Sequence, residues 1–277
     1  MTALPATHLF AGPEHQAFAL PGTTPVVLAI HGFMGTPAEL RPLAHSLADL
    51  GAAVTAPLLP GFGNEVQRLS TVTAKEWLDC ALQSRQQVRA RSNGAAVLLG
   101  FSMGAAIAVQ IAALAPPERL VLIAPFTQLL PGDWRVPFLP LARRVVKELR
   151  PFANADFGNP STRKVFEAMN PALDLDDPTV QAALRDVRLP LSALDELRKT
   201  GQGALRAARH VRCPVLVIQG FDDRTVPPWT TRRLVERFAG RVTLIEVPGD
   251  HHLVRLDHPS AELAFRLIGQ YVTGGLA

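Results

Sequence analysis

Six short aliphatic runs recur along the chain, at residues 26–30, 52–56, 95–99, 120–124, 215–219 and 242–247. They show little polar alternation, which is the pattern of strands covered by helices on both faces of a parallel sheet. Helix punctuation lies between them. Thr36-Pro37-Ala38-Glu39 reads as a capping box with proline at the first helical position, and Gly51 supplies the stop. Thr73-Ala74-Lys75-Glu76 repeats the device and opens a helix expected to run to Asn93-Gly94, with Arg85, Arg89 and Arg91 toward its C-terminal end. This β-α-β-α alternation predicts a doubly wound, mostly parallel α/β sheet, with a short antiparallel hairpin expected before Val26.

The rhythm breaks between Pro125 and Arg212, where prolines are frequent and helical pieces (139–149, 179–187 and 191–199) replace strands. So long a gap in a compact domain predicts an inserted helical cap at 126–206, between core segments 1–125 and 207–277. The 277 residues suffice for that arrangement, and a 48% hydrophobic, 19% charged composition excludes disorder throughout.

The net charge of +4 comes from scattered arginines, with no basic stripe interleaved with aromatics, so nucleic acid is not expected as a partner. Two cysteines, Cys80 and Cys213, are too few for a disulfide framework and are expected to pack in the interior. Residues 1–12 show no basic leader followed by an apolar core, so a cytoplasmic location is expected. Residues 95–115 are uncharged and mostly apolar, but Gly100, Ser102, Gly104 and Gln110 make them a strand–turn–helix rather than a membrane span.

That stretch contains the chemistry. Gly100-Phe101-Ser102-Met103-Gly104 is a G-x-S-x-G match between an expected strand and an apolar helix, the context a nucleophile elbow requires. The alternative is a turn whose glycines serve close packing only. His31-Gly32-Phe33-Met34-Gly35 follows the strand at 26–30, and a glycine-containing loop there can aim a backbone N–H at a substrate carbonyl. Phe33 is the expected first oxyanion donor and Met103 the second. His31 precedes the loop and is read as shaping it by hydrogen bonding.

A serine needs a base, and the base an orienting carboxylate. Asp222 and Asp223 follow the strand at 215–219, at the sheet edge where open α/β sheets bind ligands. His251, His252 and His258 follow the last strand.

With these pieces in place the chain resembles the α/β-hydrolase superfamily, and more narrowly small bacterial carboxylesterases and monoacylglycerol-lipase-like enzymes. The matching parts are the H-G-F-x-G loop, the G-x-S-M-G elbow, G-x-x-D-x-x-V-P at Gly220, Asp223, Val226 and Pro227, and H-x-V-x-L-D at His252, Val254, Leu256 and Asp257. The resemblance implies the α/β-hydrolase fold and a Ser102–Asp223–His252 triad acting on a small-molecule ester. It implies no metal or organic cofactor. Met34, Phe126 and Trp134 are the expected pocket residues, while Phe138 and Phe152 are read mainly as the cap's own core. The same triad suits a thioesterase, a carbon–carbon bond hydrolase or a perhydrolase, and a non-catalytic binding protein is the reading of a different class. A dehalogenase or epoxide hydrolase would want aspartate at Ser102.

Overall fold

The computed structural model describes residues 10, 12–90, 96–169 and 173–275. In chain order the elements are β1 (Phe18–Leu20), β2 (Val26–Ile30), α1 (Arg41–Asp49), β3 (Ala53–Ala56), α2 (Ala74–Ala90), β4 (Ala96–Phe101), α3 (Met103–Leu114) and β5 (Arg119–Ile123). There follow α4 (Leu139–Val145), β6 (Glu148–Leu149), α5 (Pro160–Met169), α6 (Pro178–Arg185), β7 (Leu189–Pro190) and α7 (Leu191–Ala207). Then come β8 (Val215–Gly220), α8 (Pro228–Val235), β9 (Val242–Val247) and α9 (Ala261–Thr273).

Seven strands form one sheet in the order β1-β3-β2-β4-β5-β8-β9, parallel except for β1. Successive residues of each inner strand feed opposite cores, as the two-residue strand period demands. Leu28, Ile30, Leu98, Leu122 and Val217 join the core that holds Trp77 of α2 and most of α3. Val27, Ala29, Val97, Leu99, Val121 and Ile218 join the one beneath α1 and α9. Burial on both faces is why these strands lack alternation in sequence.

The expected strand at 95–99 appears as β4, although residue 95 and the expected helix end at Asn93-Gly94 lie outside the described residues. Among the described residues no hairpin forms before Val26. β1 instead pairs antiparallel with β3, Phe18 opposite Ala56, and leaves β2 between β3 and β4. The capping box at Thr73 closes, with Thr73 N–H donating to Glu76 Oε2 (2.9 Å) and Glu76 N–H donating to Thr73 Oγ1 (3.2 Å). The box at Thr36 does not. Thr36 Oγ1 accepts from Ala38 N–H (3.3 Å), but Glu39 turns elsewhere.

Between β5 and β8 the helical excursion divides. Phe157, Phe166, Leu175 and Leu184 form a small cluster of their own, with Phe152 against it. α7 does not belong to that cluster, because Ala193, Leu197 and Ala204 join the core beside α3. α4 is also tied to α7, through Arg143, which lies 3.2 Å from the buried carboxylate of Asp195. The helix expected over 139–149 stops at Val145, and Glu148–Leu149 pairs with β7. Among the described residues no helix is long and apolar enough to cross a membrane.

Candidate active site

The expected elbow has the geometry its glycines require. Ser102 joins β4 to α3 with φ 53° and ψ −117°, a conformation costly for a residue with a side chain. A Cβ on Gly104 would run into the carbonyl oxygens of Ile30 and His31, and one on Gly100 into the backbone of Gly104 and Ala105. The turn therefore packs helix onto strand at a distance only glycine allows. Ser102 N–H donates to Ile123 O (2.9 Å) and Phe126 N–H to Ser102 O (3.1 Å), which holds the strained residue from both sides.

Asp223 lies in the loop after β8, 2% exposed. Its Oδ1 accepts from the N–H groups of Thr225 (2.9 Å) and Val226 (2.7 Å), and its Oδ2 from Gln219 Nε2 (3.2 Å). Gln219 is itself held by Thr231 Oγ1, which donates to its Oε1 at 2.6 Å. One direction at Oδ2 remains, and His251 fills it. His251 Nδ1 donates to Asp223 Oδ2 at 2.7 Å, which leaves Nε2 unprotonated and 3.0 Å from Ser102 Oγ as the acceptor of the hydroxyl proton. The ring also lies against Phe101, centroids 5.0 Å apart.

This corrects the histidine expected from the sequence. The structure brings Ser102 and Asp223 together with His251 and leaves His252 outside. His252 N–H donates to Asp250 Oδ1 (2.8 Å), and its ring, 3.4 Å from the same carboxylate, is held below the usual histidine pKa chiefly by burial. His258 also faces Asp250, at 3.6 Å. Asp222 is exposed, with its N–H on Gly249 O (2.9 Å), so the carboxylate at the site is Asp223.

The loop after β2 lies beside Ser102. His31 is fully buried, and burial lowers its pKa to about 4, so the ring is neutral. Its Nε2 accepts from Leu59 N–H (3.0 Å), which puts the proton on Nδ1, and Nδ1 donates to Gly32 O at 2.9 Å. His31 thus shapes the loop, as its position before the glycine suggested. The Phe33 ring packs on Phe62 and Trp77 at centroid distances of 5.7 and 6.1 Å, which fixes the residue expected to supply an oxyanion N–H. Met103 opens α3, so its N–H is among those a helix leaves without an internal partner.

A small apolar cavity lies between this loop and the excursion. Met34, Phe62 and Leu69 line it from the core side, and Phe152, Phe166 and Leu184 from the other. Of the expected pocket residues only Met34 is here. Phe126 is 5% exposed and packed in the core beside α7. Trp134 is 74% exposed, its ring paired with Phe138. Phe152 and Phe166 are both part of the small cluster and part of the wall, a double role that no motif marks.

Among the described residues no cluster of histidine, cysteine and carboxylate side chains has the arrangement of a metal site. Burial raises both thiols, that of Cys213 to about 11, so neither is a ready thiolate.

The sheet order, the elbow and the three-residue chain of hydrogen bonds define an α/β hydrolase-type scaffold with a serine–histidine–aspartate site. The comparison of families agrees: residues 26–266 match the alpha/beta hydrolase family, and the chain belongs to it. It is 23% identical over 240 residues to the thermostable monoacylglycerol lipase of Bacillus sp. (strain H-257), covering 84% of each chain. Among solved structures, one described with LipS and LipT, two metagenome-derived lipolytic enzymes, superimposes with a TM-score of 0.76 at 22% identity, covering 95% of this chain and 98% of that one. The monoacylglycerol lipase of Paleococcus ferrophilus does so with a TM-score of 0.68 at 18% identity, covering 94% and 99%.

Proposed function

We propose that this chain is a serine hydrolase that cleaves carboxylic esters through an acyl-enzyme, acting on short- to medium-chain acyl or monoacylglycerol-like substrates. The observation that carries the reading is the continuous path Ser102 Oγ–His251 Nε2, His251 Nδ1–Asp223 Oδ2, at 3.0 and 2.7 Å. His251 takes the Ser102 proton as the oxygen attacks the ester carbonyl, and Asp223 holds the imidazole tautomer. The Phe33 and Met103 N–H groups receive the oxyanion, each worth about 3 kcal/mol in the transition state. His251 returns its proton to the departing alcohol, and water, activated by the same ring, hydrolyses the acyl-enzyme.

The likeness to monoacylglycerol lipases supports an ester, and the apolar wall of Phe62, Phe152, Phe166 and Leu184 suits an acyl chain. In this reading the cap proper is the part of 126–206 that precedes α7. The test is initial hydrolysis rates on 4-nitrophenyl esters from acetyl to dodecanoyl, with Ser102→Ala protein as the blank. A serine-dependent optimum along the series is the expected result. Absence of activity above the blank, with activity on thioesters, would transfer the site to thioester hydrolysis.

A further inference from the structure

The capping-box reading has Glu39 close back on Thr36, three residues earlier. In the structure its carboxyl instead accepts a hydrogen bond from the N–H of Gly32, across the loop that follows β2. The loop is built around this carboxyl. A Cβ on Gly35 would collide with it, and a Cβ on Gly32 would lie 3.2 Å from Glu39 Oε1 and 3.3 Å from Ser102 Cβ.

Resting on the ester-hydrolase reading above, we propose that Glu39 is a positioning residue, whose carboxyl holds the Gly32 backbone so that the Phe33 N–H meets the oxyanion. A trans peptide points its C=O and the following N–H in opposite directions. His31 Nδ1 holds Gly32 O, and so aims the Phe33 N–H of the same peptide plane the other way. Glu39 holds the Gly32 N–H, which belongs to the preceding plane. Gly32 has the widest backbone freedom of any residue type, and fixing the planes on both sides removes that freedom. Gly35 N–H also holds Gly32 O, at 3.3 Å, so the plane before Gly32 depends on Glu39; without it the donor swings, and a donor aimed at the wrong place loses most of its value.

The charge state matters because the carboxyl and Ser102 border the same vacant Cβ position. An anion there opposes the oxyanion, and a neutral acid does not. The titratable groups on the surrounding elements are committed to other partners. His15, on the turn Pro13–His15, meets Thr36 Oγ1 at 2.8 Å and Glu14 at 3.5 Å. Arg41 of α1 donates to Glu14 O at 2.8 Å, His31 to Gly32 O, and His251 to Asp223. Among the described residues no cation forms an ion pair with Glu39, and burial pushes its carboxyl up to about 7.

The experiment compares wild-type protein with Glu39→Ala and Glu39→Gln. It reads the rate of Ser102 labelling by a fluorophosphonate, together with kcat and KM for 4-nitrophenyl butyrate, from mildly acid to mildly alkaline pH. Glu39→Ala is expected to slow labelling and kcat by about tenfold to a hundredfold with little change in KM. Glu39→Gln keeps the accepting oxygen without the charge. It is expected to restore both rates to within about threefold and to abolish the wild-type decline above about pH 7. Labelling of Glu39→Ala at the wild-type rate overturns the proposal, as does a Glu39→Gln protein as slow as Glu39→Ala. Should Glu39→Ala fail to fold, a Glu39→Gln profile that follows the wild type at every pH overturns it. Wild-type protein that is neither labelled nor active would instead sink the hydrolase reading itself.

Discussion

His251 Nε2 lies 3.0 Å from Ser102 Oγ, while the adjacent His252 turns its ring toward Asp250. The two histidines therefore separate in a single pair of variants. His251→Ala is expected to lower kcat/KM by about three to six orders of magnitude, the range for removing a triad member. His252→Ala is expected to stay within about threefold of wild type, because its ring is no part of the proton path. Rates on 4-nitrophenyl butyrate decide it. The opposite ranking would return the base to His252.

Asp223→Asn is expected to cost about 10³ to 10⁴ in kcat, since an amide would favour the wrong imidazole tautomer. The Thr225 and Val226 N–H groups still find an oxygen in asparagine, so the melting temperature is expected to fall only slightly. Asp222→Asn is the control, exposed and expected to be silent. Its inactivation in place of Asp223→Asn would shift the acid by one residue.

What was legible in the sequence had a periodic or steric signature. β2 and β9 read true to the residue: burial on both faces leaves β2 an unbroken aliphatic run, and half-buried β9 at the sheet edge still keeps an aliphatic majority around Thr243 and Glu246. Ser102 was legible because a strand, two glycines and an apolar helix leave one way to make the turn. The base was not, because 249–252 is irregular backbone and no period sets which of two adjacent histidines faces Ser102. Nor was Glu39, whose spacing from Thr36 fits a capping box equally well, and only the fold of residues 32–35 brings Gly32 N–H to it. Trp134 shows a third kind of miss: aromatic character in the cap says nothing about which side faces the cavity.

Glu39 also has a stability signature separate from catalysis. Its folded pKa of about 7 stands above the ordinary glutamate value of about 4.5, so between those values the folded chain keeps a proton that the unfolded chain has released. Its contribution is fully present below the unfolded value and is lost as pH rises through about 7. Glu39→Gln cannot ionise and escapes that loss. The melting temperature of Glu39→Gln minus that of wild type is expected to grow more positive from about pH 5 to about pH 8. A difference that stays flat across this range would mean that the carboxyl ionises as freely in the folded chain as in the unfolded one.

The cavity between the loop after β2 and the helical excursion makes a prediction about chain length. Val187 is half-buried and lines that cavity together with Met34 and Phe166. If the acyl chain lies there, Val187→Trp removes room at the far wall without touching Ser102, His251 or Asp223. Each buried methylene is worth about 0.8 kcal/mol, so losing space for several of them shifts preference by orders of magnitude in kcat/KM on the longer esters alone. Rates on the acetyl ester are expected to stay within about twofold of wild type, because that chain is too short to reach the wall. The 4-nitrophenyl ester series, run side by side on both proteins, reads this directly. An unchanged chain-length profile in a folded variant would place the acyl chain elsewhere and leave this cavity to the alcohol or to no part of the substrate.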